Sequence, residues 1–194
     1  MRKTVWFPNE EYEARVKKAR ELMAREKMDV LFLTGDRNYI YFTGHRSITP
    51  EGWAARPHYF ILPLEGAPHI MVHTFNKDDV SLTSWVEDIT LYTSLLEAPV
   101  KELANIIRSY KSQGKRIGSE LGQEQRMGMP VRDFLSLRDE LKEFRFVDER
   151  HRKDKPLLHA LGVCLHLLVL SLEKAEHPEQ VGRTSLCTVL SEPI

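Results

Sequence analysis

The stretch Asp29-Val30-Leu31-Phe32-Leu33-Thr34-Gly35-Asp36-Arg37-Asn38-Tyr39-Ile40-Tyr41-Phe42-Thr43-Gly44 decides the fold. Val30–Leu33 is a short continuous apolar run, the pattern of a strand buried on both faces, and Thr34-Gly35-Asp36 is the turn that stops it. The second half joins that polar turn to a short aromatic helix or turn. Upstream, Tyr12, Val16, Ala19, Leu22 and Met23 recur at helical spacing behind Asn9, a suitable N-cap, with Glu10 and Glu11 in the first turn. Arg15, Lys18 and Arg25 fall on the polar side of that helix, where a solvated face is expected. A helix leading into a doubly buried strand is an α/β signature.

Downstream, Tyr59–Leu62 and His69–Val72 are apolar runs separated by Pro63, Glu65, Gly66 and Pro68, which predicts an antiparallel hairpin and therefore a mixed sheet. Further elements follow: a short helix over Lys77–Trp85, a strand at Ile89–Tyr92, and a helix carrying Val100, Leu103, Ala104, Ile107 and Tyr110. Arg116–Ser119 reads as a brief strand. Pro130 opens a helix with Val131, Phe134, Leu135 and Leu141, and Phe144–Val147 closes as a strand. The expected fold is α/β, a mixed sheet flanked by helices in three layers over residues 1–148. Residues 149–194 form an atypical tail: a charged run broken by Pro156, an apolar helix over 157–172, and an irregular end.

Composition narrows the function. Lys plus Arg and Asp plus Glu both number 28, so no global charge draws the chain to nucleic acid or an anionic membrane. The apolar run Leu157–Leu172 is interrupted by His159, Gly162, His166 and Ser171 and falls short of the ~20 residues of a membrane span. Two cysteines, Cys164 and Cys187, do not make a disulfide framework, and acidic residues stand where a signal peptide needs apolar ones; a cytoplasmic location is expected.

No complete catalytic set is legible. The chain has no HExxH, no GxSxG elbow, no GxGxxG and no GxxxxGK[ST]. His69 and His73 lie four apart in an apparent strand, which would separate them by about 13 Å on one side, too far to chelate one ion. His159, Cys164, His166 and Cys187 match no compact zinc spacing. No catalytic and no metal-ligating residue is therefore assigned. Ligands in open α/β sheets favour strand ends, so the turn after Val30–Leu33 draws attention. Arg37 and Asn38 offer hydrogen bonds there, and Tyr39 and Tyr41 offer aromatic walls with polar tips. The other reading has Asn38 capping the short helix while Tyr41 and Phe42 fill the core.

At this stretch the sequence resembles a known family. The amphipathic helix, the strand Asp29–Leu33, and Asn38-Tyr39-Ile40-Tyr41-Phe42-Thr43-Gly44 look like the amino-terminal domain of creatinase, prolidase and Xaa-Pro aminopeptidases. Arg56-Pro57 entering a strand, Ile61-Leu62-Pro63 leading to a turn, and Arg116-Ile117-Gly118-Ser119-Glu120 are similar to the corresponding family segments, and Gln123 to Phe134 looks like the Xaa-Pro peptidase branch. The resemblance covers about Tyr12 to Asp148.

It implies a non-catalytic domain that supports dimer contacts and rims the active site of a metallohydrolase domain. That domain would carry two divalent metals, such as Mn, Co or Zn, on two Asp, one His and two Glu. After Asp148 the sequence offers a single aspartate, Asp154, so that ligand set is not expected here, and a truncated or frameshifted product is the favoured account. The expected partners are a second copy or a full-length relative, with proline-containing peptides as the family's substrates. Asn38, Tyr41, Arg46, Trp53, Arg56 and His58 are the candidates for the substrate rim, a mixture of cationic and aromatic groups between two strands. The alternatives are a stand-alone assembly module and a small-molecule or peptide-binding domain.

Overall fold

The computed structural model describes residues 5–47, 56–122 and 125–148. Helix α1 (Asn9–Arg25) leads to β1 (Val30–Leu33), α2 (Asp36–Thr43), β2 (Tyr59–Pro63) and β3 (His69–His73). A 3-10 turn, Thr74–Asn76, precedes α3 (Lys77–Thr83), β4 (Asp88–Tyr92), α4 (Val100–Ser109), β5 (Arg116–Ser119), α5 (Val131–Glu140) and β6 (Arg145–Asp148). The strands form one six-stranded sheet in the order β4-β3-β2-β1-β5-β6. β1 runs parallel to β5, β5 to β6 and β3 to β4, whereas β2 is antiparallel to both of its neighbours. Five strands thus end at one edge, where β2 begins: Leu33 pairs with Phe60, and Tyr59 with Met71.

The apolar run of β1 is explained by its place between β2 and β5. All four of its residues are fully buried, because the sheet is covered on both faces. On one face Val30, Phe32, Tyr59, Ile61, Met71 and Tyr92 meet Leu103, Ala104 and Ile107 of α4 and Leu137 and Leu141 of the α5 end. Burying a side chain such as Leu103 contributes about 2 kcal/mol, which is why α4 and α5 carry an apolar stripe. On the other face Phe42 of α2 stacks on Phe60, ring centroids 5.1 Å apart. Tyr12 of α1 stacks on Trp85 at 5.9 Å, and Trp85 Nε1 donates to the Phe42 carbonyl at 2.7 Å.

Two expectations are corrected here. Asn9 is the first helical residue and Pro8 holds the cap position, with no side-chain cap bond; proline's missing N–H and fixed φ suit a helix entry without one. Arg15 does not belong to a solvated face. Its Nη1 donates to the Tyr41 carbonyl at 2.7 Å, and its guanidinium lies over the rings of Phe7, Tyr12 and Tyr41 at 4.7, 5.0 and 4.4 Å. The planar, weakly hydrated guanidinium tolerates this burial between aromatic faces, so a cationic residue anchors α1 to α2. The tail, with its apolar run over 157–172, lies outside the described residues.

Asp29 fixes the entry to β1. Its carboxylate accepts the backbone N–H groups of Gln113, Gly114 and Arg116 at 2.9, 3.1 and 2.8 Å, tying β1 to the turn before β5. Burial works against its charge, yet these donors hold the carboxyl below its ordinary pKa.

Candidate functional site at the carboxyl edge of the sheet

Where β1 and β5 end, a buried carboxylate closes the turn. Glu120 directly follows β5 and is 3% exposed. Its Oε2 accepts the backbone N–H of Thr34 at 2.9 Å and of Gly35 at 2.8 Å, and the Thr34 hydroxyl at 3.2 Å; its Oε1 accepts Asn38 Nδ2 at 2.5 Å. Burial pushes this carboxyl above its ordinary pKa, against the pull of the Asn38, Thr34 and Gly35 donors. The cap position of α2 is Gly35, with no side-chain cap bond. Asn38 therefore does not cap α2: it stands inside the helix and reaches across to β5, because the turn's free N–H groups are taken by Glu120. Gly128 completes the junction. A Cβ there would run into the Thr34 carbonyl, so only glycine allows this approach.

Across the edge, near the start of β2, lies a layer of histidines. His45, fully buried, has Nδ1 2.7 Å from the Tyr39 hydroxyl and Nε2 3.0 Å from Asp79 Oδ2. His58 stacks on Tyr39 at 5.1 Å between centroids and stands edge-on to His45 at 5.5 Å. Asn76, also fully buried, donates from Nδ2 to His58 Nε2 at 3.2 Å and accepts the Ser47 hydroxyl on Oδ1 at 2.8 Å. Burial lowers the pKa of both histidines: for His45 the bond to Asp79 opposes the fall, while for His58 the neighbouring His45 deepens it to about 4. Both are neutral at pH 7.

The rim around this layer is cationic and aromatic. The Arg56 guanidinium lies 5.1 Å over the Phe75 ring, and Phe75 is 62% exposed. Among the described residues, Arg56 Nε is buried without a hydrogen-bond partner. The Arg46 guanidinium lies 5.9 Å from the ring of the half-exposed Trp6. Of the rim candidates, Arg56 and His58 stand two positions apart before β2, and His58 meets His45, the residue that precedes Arg46. Asn38 belongs to the Glu120 junction, Tyr41 is buried beneath Arg15, and Trp53 lies outside the described residues. Phe75, Asn76 and Asp79 were not singled out from sequence. The only signal was polar residues at the start of a short helix, which ordinarily means no more than a helix entry.

A second concavity, about 550 Å³, opens where β4 meets the first turns of α4 and α5, lined among others by Met71, Thr90, Tyr92, Ser94, Arg132 and Asp133. Beside it His69, nearly buried, bridges Asp88 Oδ2 at 2.9 Å and Thr90 Oγ1 at 3.0 Å across the β3–β4 pair. Asp88 is half exposed, so this chain of hydrogen bonds ties two strands at the sheet's outer edge. Among the described residues no three His, Cys, Asp or Glu side chains are grouped to hold a metal ion, and no helix is long and apolar enough to cross a membrane.

The comparisons with known proteins agree with this architecture. No curated protein matches the sequence. Among solved structures, a prolidase from Thermococcus sibiricus aligns with a TM-score of 0.57 at 20% identity over 71% of this chain and 34% of its own. The dipeptidase PepE from Mycobacterium ulcerans aligns with a TM-score of 0.58 at 18% identity, over 80% and 37% respectively. The creatinase/prolidase N-terminal domain of an X-Pro dipeptidase from Streptococcus pyogenes aligns with a TM-score of 0.52 at 14% identity, over 70% and 92%. The chain thus spans about a third of the length of the first two, and at these identities the likeness is one of fold. The family model that describes the creatinase/prolidase N-terminal domain matches residues 15–152, the greater part of the sequence. With its six-stranded mixed sheet and helices on both faces, the chain belongs to the creatinase/prolidase N-terminal domain family.

Proposed function

We propose that this chain is the non-catalytic N-terminal domain of an Xaa-Pro peptidase, which supports oligomerisation and rims the active site of a metallohydrolase domain. The observation that carries the reading is the carboxyl edge itself: Arg56 over Phe75 and Arg46 over Trp6, set on a buried layer of neutral histidines. Guanidinium groups beside exposed rings suit a peptide's carboxylate and a proline ring. The histidine layer holds its members by side-chain hydrogen bonds and leaves them in the neutral form. The pair of divalent metals belongs, in this reading, to the other domain. Among the described residues no three-ligand group fits them, and no step through a metal is assigned to these residues.

The test has two arms. The purified chain is given an Xaa-Pro dipeptide with Mn²⁺, Co²⁺ or Zn²⁺; no turnover is expected, and metal-dependent hydrolysis would overturn the non-catalytic reading. The chain is then mixed with a full-length prolidase-type relative and its mass is followed by light scattering. A complex, or a dimer of the chain itself, is expected, and a monomer under both conditions refutes the assembly role. A second reading, a small-ligand-binding domain, draws on the cleft of about 550 Å³ between β4, α4 and α5. Thermal shifts with proline-containing dipeptides that survive Arg56→Ala but vanish in Thr90→Val would favour it.

A further inference from the structure

Both arginines of the rim stand on the stems of one connection, the sequence between α2 and β2. Its first stem is His45-Arg46-Ser47 and its second is Arg56-Pro57-His58. Backbone pairing of β2 begins at Tyr59, and among the described residues side chains hold the stems. The first stem is gripped at His45 by Asp79 and Tyr39, and at Ser47 by Asn76. The second is gripped at His58 by Asn76 and at the Pro57 carbonyl by the Tyr92 hydroxyl, 2.9 Å away. Asn76 is thus shared: its acceptor oxygen serves one stem and its donor nitrogen the other, from a fully buried position. We propose that Asn76 and Asp79 are positioning residues that lock the two stems together, and so set where Arg46 and Arg56 stand on the rim. This rests on the reading of those arginines as the rim.

The chemistry of the two residues explains why they differ. A carboxylate only accepts, so Asp79 requires the proton of His45 on Nε2 and leaves Nδ1 to accept from the Tyr39 hydroxyl. A carboxamide donates from nitrogen and accepts on oxygen, so Asn76 requires an unprotonated Nε2 on His58 and puts that ring's proton on Nδ1. Two histidines whose centroids are 5.5 Å apart therefore hold opposite tautomers. Among the described residues the groups facing them are Tyr39 from α2, Asp79 from α3, Asn76 from the 3-10 turn and each other. Protonation of the His58 ring would break this pattern, since its Nε2 would then face the Asn76 donor.

Nitrogen-15 NMR of the imidazoles in the whole chain at pH 7 reads the assignment directly. His45 is expected as the Nε2–H tautomer and His58 as Nδ1–H; the same tautomer for both overturns the proposal. Hydrogen exchange supplies the functional half. Asn76→Ala should speed exchange at residues 45–47 and 58 on the order of tenfold while β1 and β5 keep their protection. Asp79→Asn, whose oxygen still accepts from His45, should keep the first stem protected where Asp79→Ala does not. Asn76→Asp, which offers no donor, should move the His58 proton to Nε2. Stems that exchange as in the wild type in Asn76→Ala, or a rise shared equally by the whole sheet, would overturn the positioning role. Failure of the rim reading looks different: the stems loosen as expected, but Arg46→Ala and Arg56→Ala leave the KM of the mixed complex for an Xaa-Pro dipeptide unchanged.

Discussion

Acid should unlock the histidine layer, and the size of the effect follows from His58. Its folded-state pKa is depressed, first by burial and second by the neighbouring His45, from the ordinary 6.5 to about 4. The neutral ring is thus the folded form, whereas the unfolded chain takes up a proton near pH 6.5. Stability from this group is full above pH 6.5 and is lost progressively as pH falls toward 4, because the unfolded state then binds the extra proton. A fall from 6.5 to about 4 corresponds to about 3 kcal/mol, a large share of the ~5–15 kcal/mol that holds a domain folded. The assay is urea unfolding at half-unit intervals from pH 7.5 to 4, on the wild type and on His58→Gln. Glutamine is the right comparison, since its oxygen can still accept from Asn76 but does not titrate in this range. The carboxylates titrate in both proteins, so the difference between the two curves isolates His58. That difference should favour the wild type most above pH 6.5 and shrink by about 2–3 kcal/mol toward pH 4. Parallel curves, or a wild type that gains on the variant as acid is added, would refute the reasoning.

Other substitutions probe the rest of the scaffold. Glu120→Ala leaves the N–H groups of Thr34 and Gly35 and the Asn38 amide without their acceptor and should cost about 2–4 kcal/mol in chemical unfolding, whereas Glu120→Gln, which keeps one acceptor, should cost less. Gly44→Ala should lower the melting temperature, since Gly44 has φ +72° and a Cβ would meet the Tyr12 hydroxyl; a loss of about 1 kcal/mol or more is expected. Leu103→Ala, at a fully buried position against the sheet, should cost about 2–5 kcal/mol by calorimetry.

The scaffold was legible because its elements announce themselves by period and by turn residues. Val30–Leu33 has no polar residue, and only a strand covered on both faces and both sides explains that; the structure places it between β2 and β5. The hairpin Tyr59–His73 followed from Pro63, Glu65 and Gly66 at the turn. Arg15 escaped because charge patterning says nothing of aromatic rings brought in from Phe7 and Tyr41, residues on neighbouring segments. Asn38 escaped for a related reason: its partner Glu120 lies just past the end of β5, 82 positions away, and no local pattern joins them. The site was the least legible part. Arg56 and His58 stand out as a cationic and an aromatic residue before a strand, but Asn76 and Asp79 look like ordinary helix-entry residues. Only the crossing of β2 back beside β3 brings them under the rim.

The reversed direction of β2 carries a consequence for engineering. Because β2 starts at the edge where β1 stops, the two described stems of the connection, residues 44–47 and 56–58, both lie at that edge. The span between Ser47 and Arg56 can therefore be lengthened, shortened or replaced without moving the register of any strand. A doubling of a flexible loop costs only about 0.6 kcal/mol in closure entropy. The sheet behaves as a chassis with one interchangeable fitting, and new recognition sequences could be grafted there provided that the histidine at each end is kept.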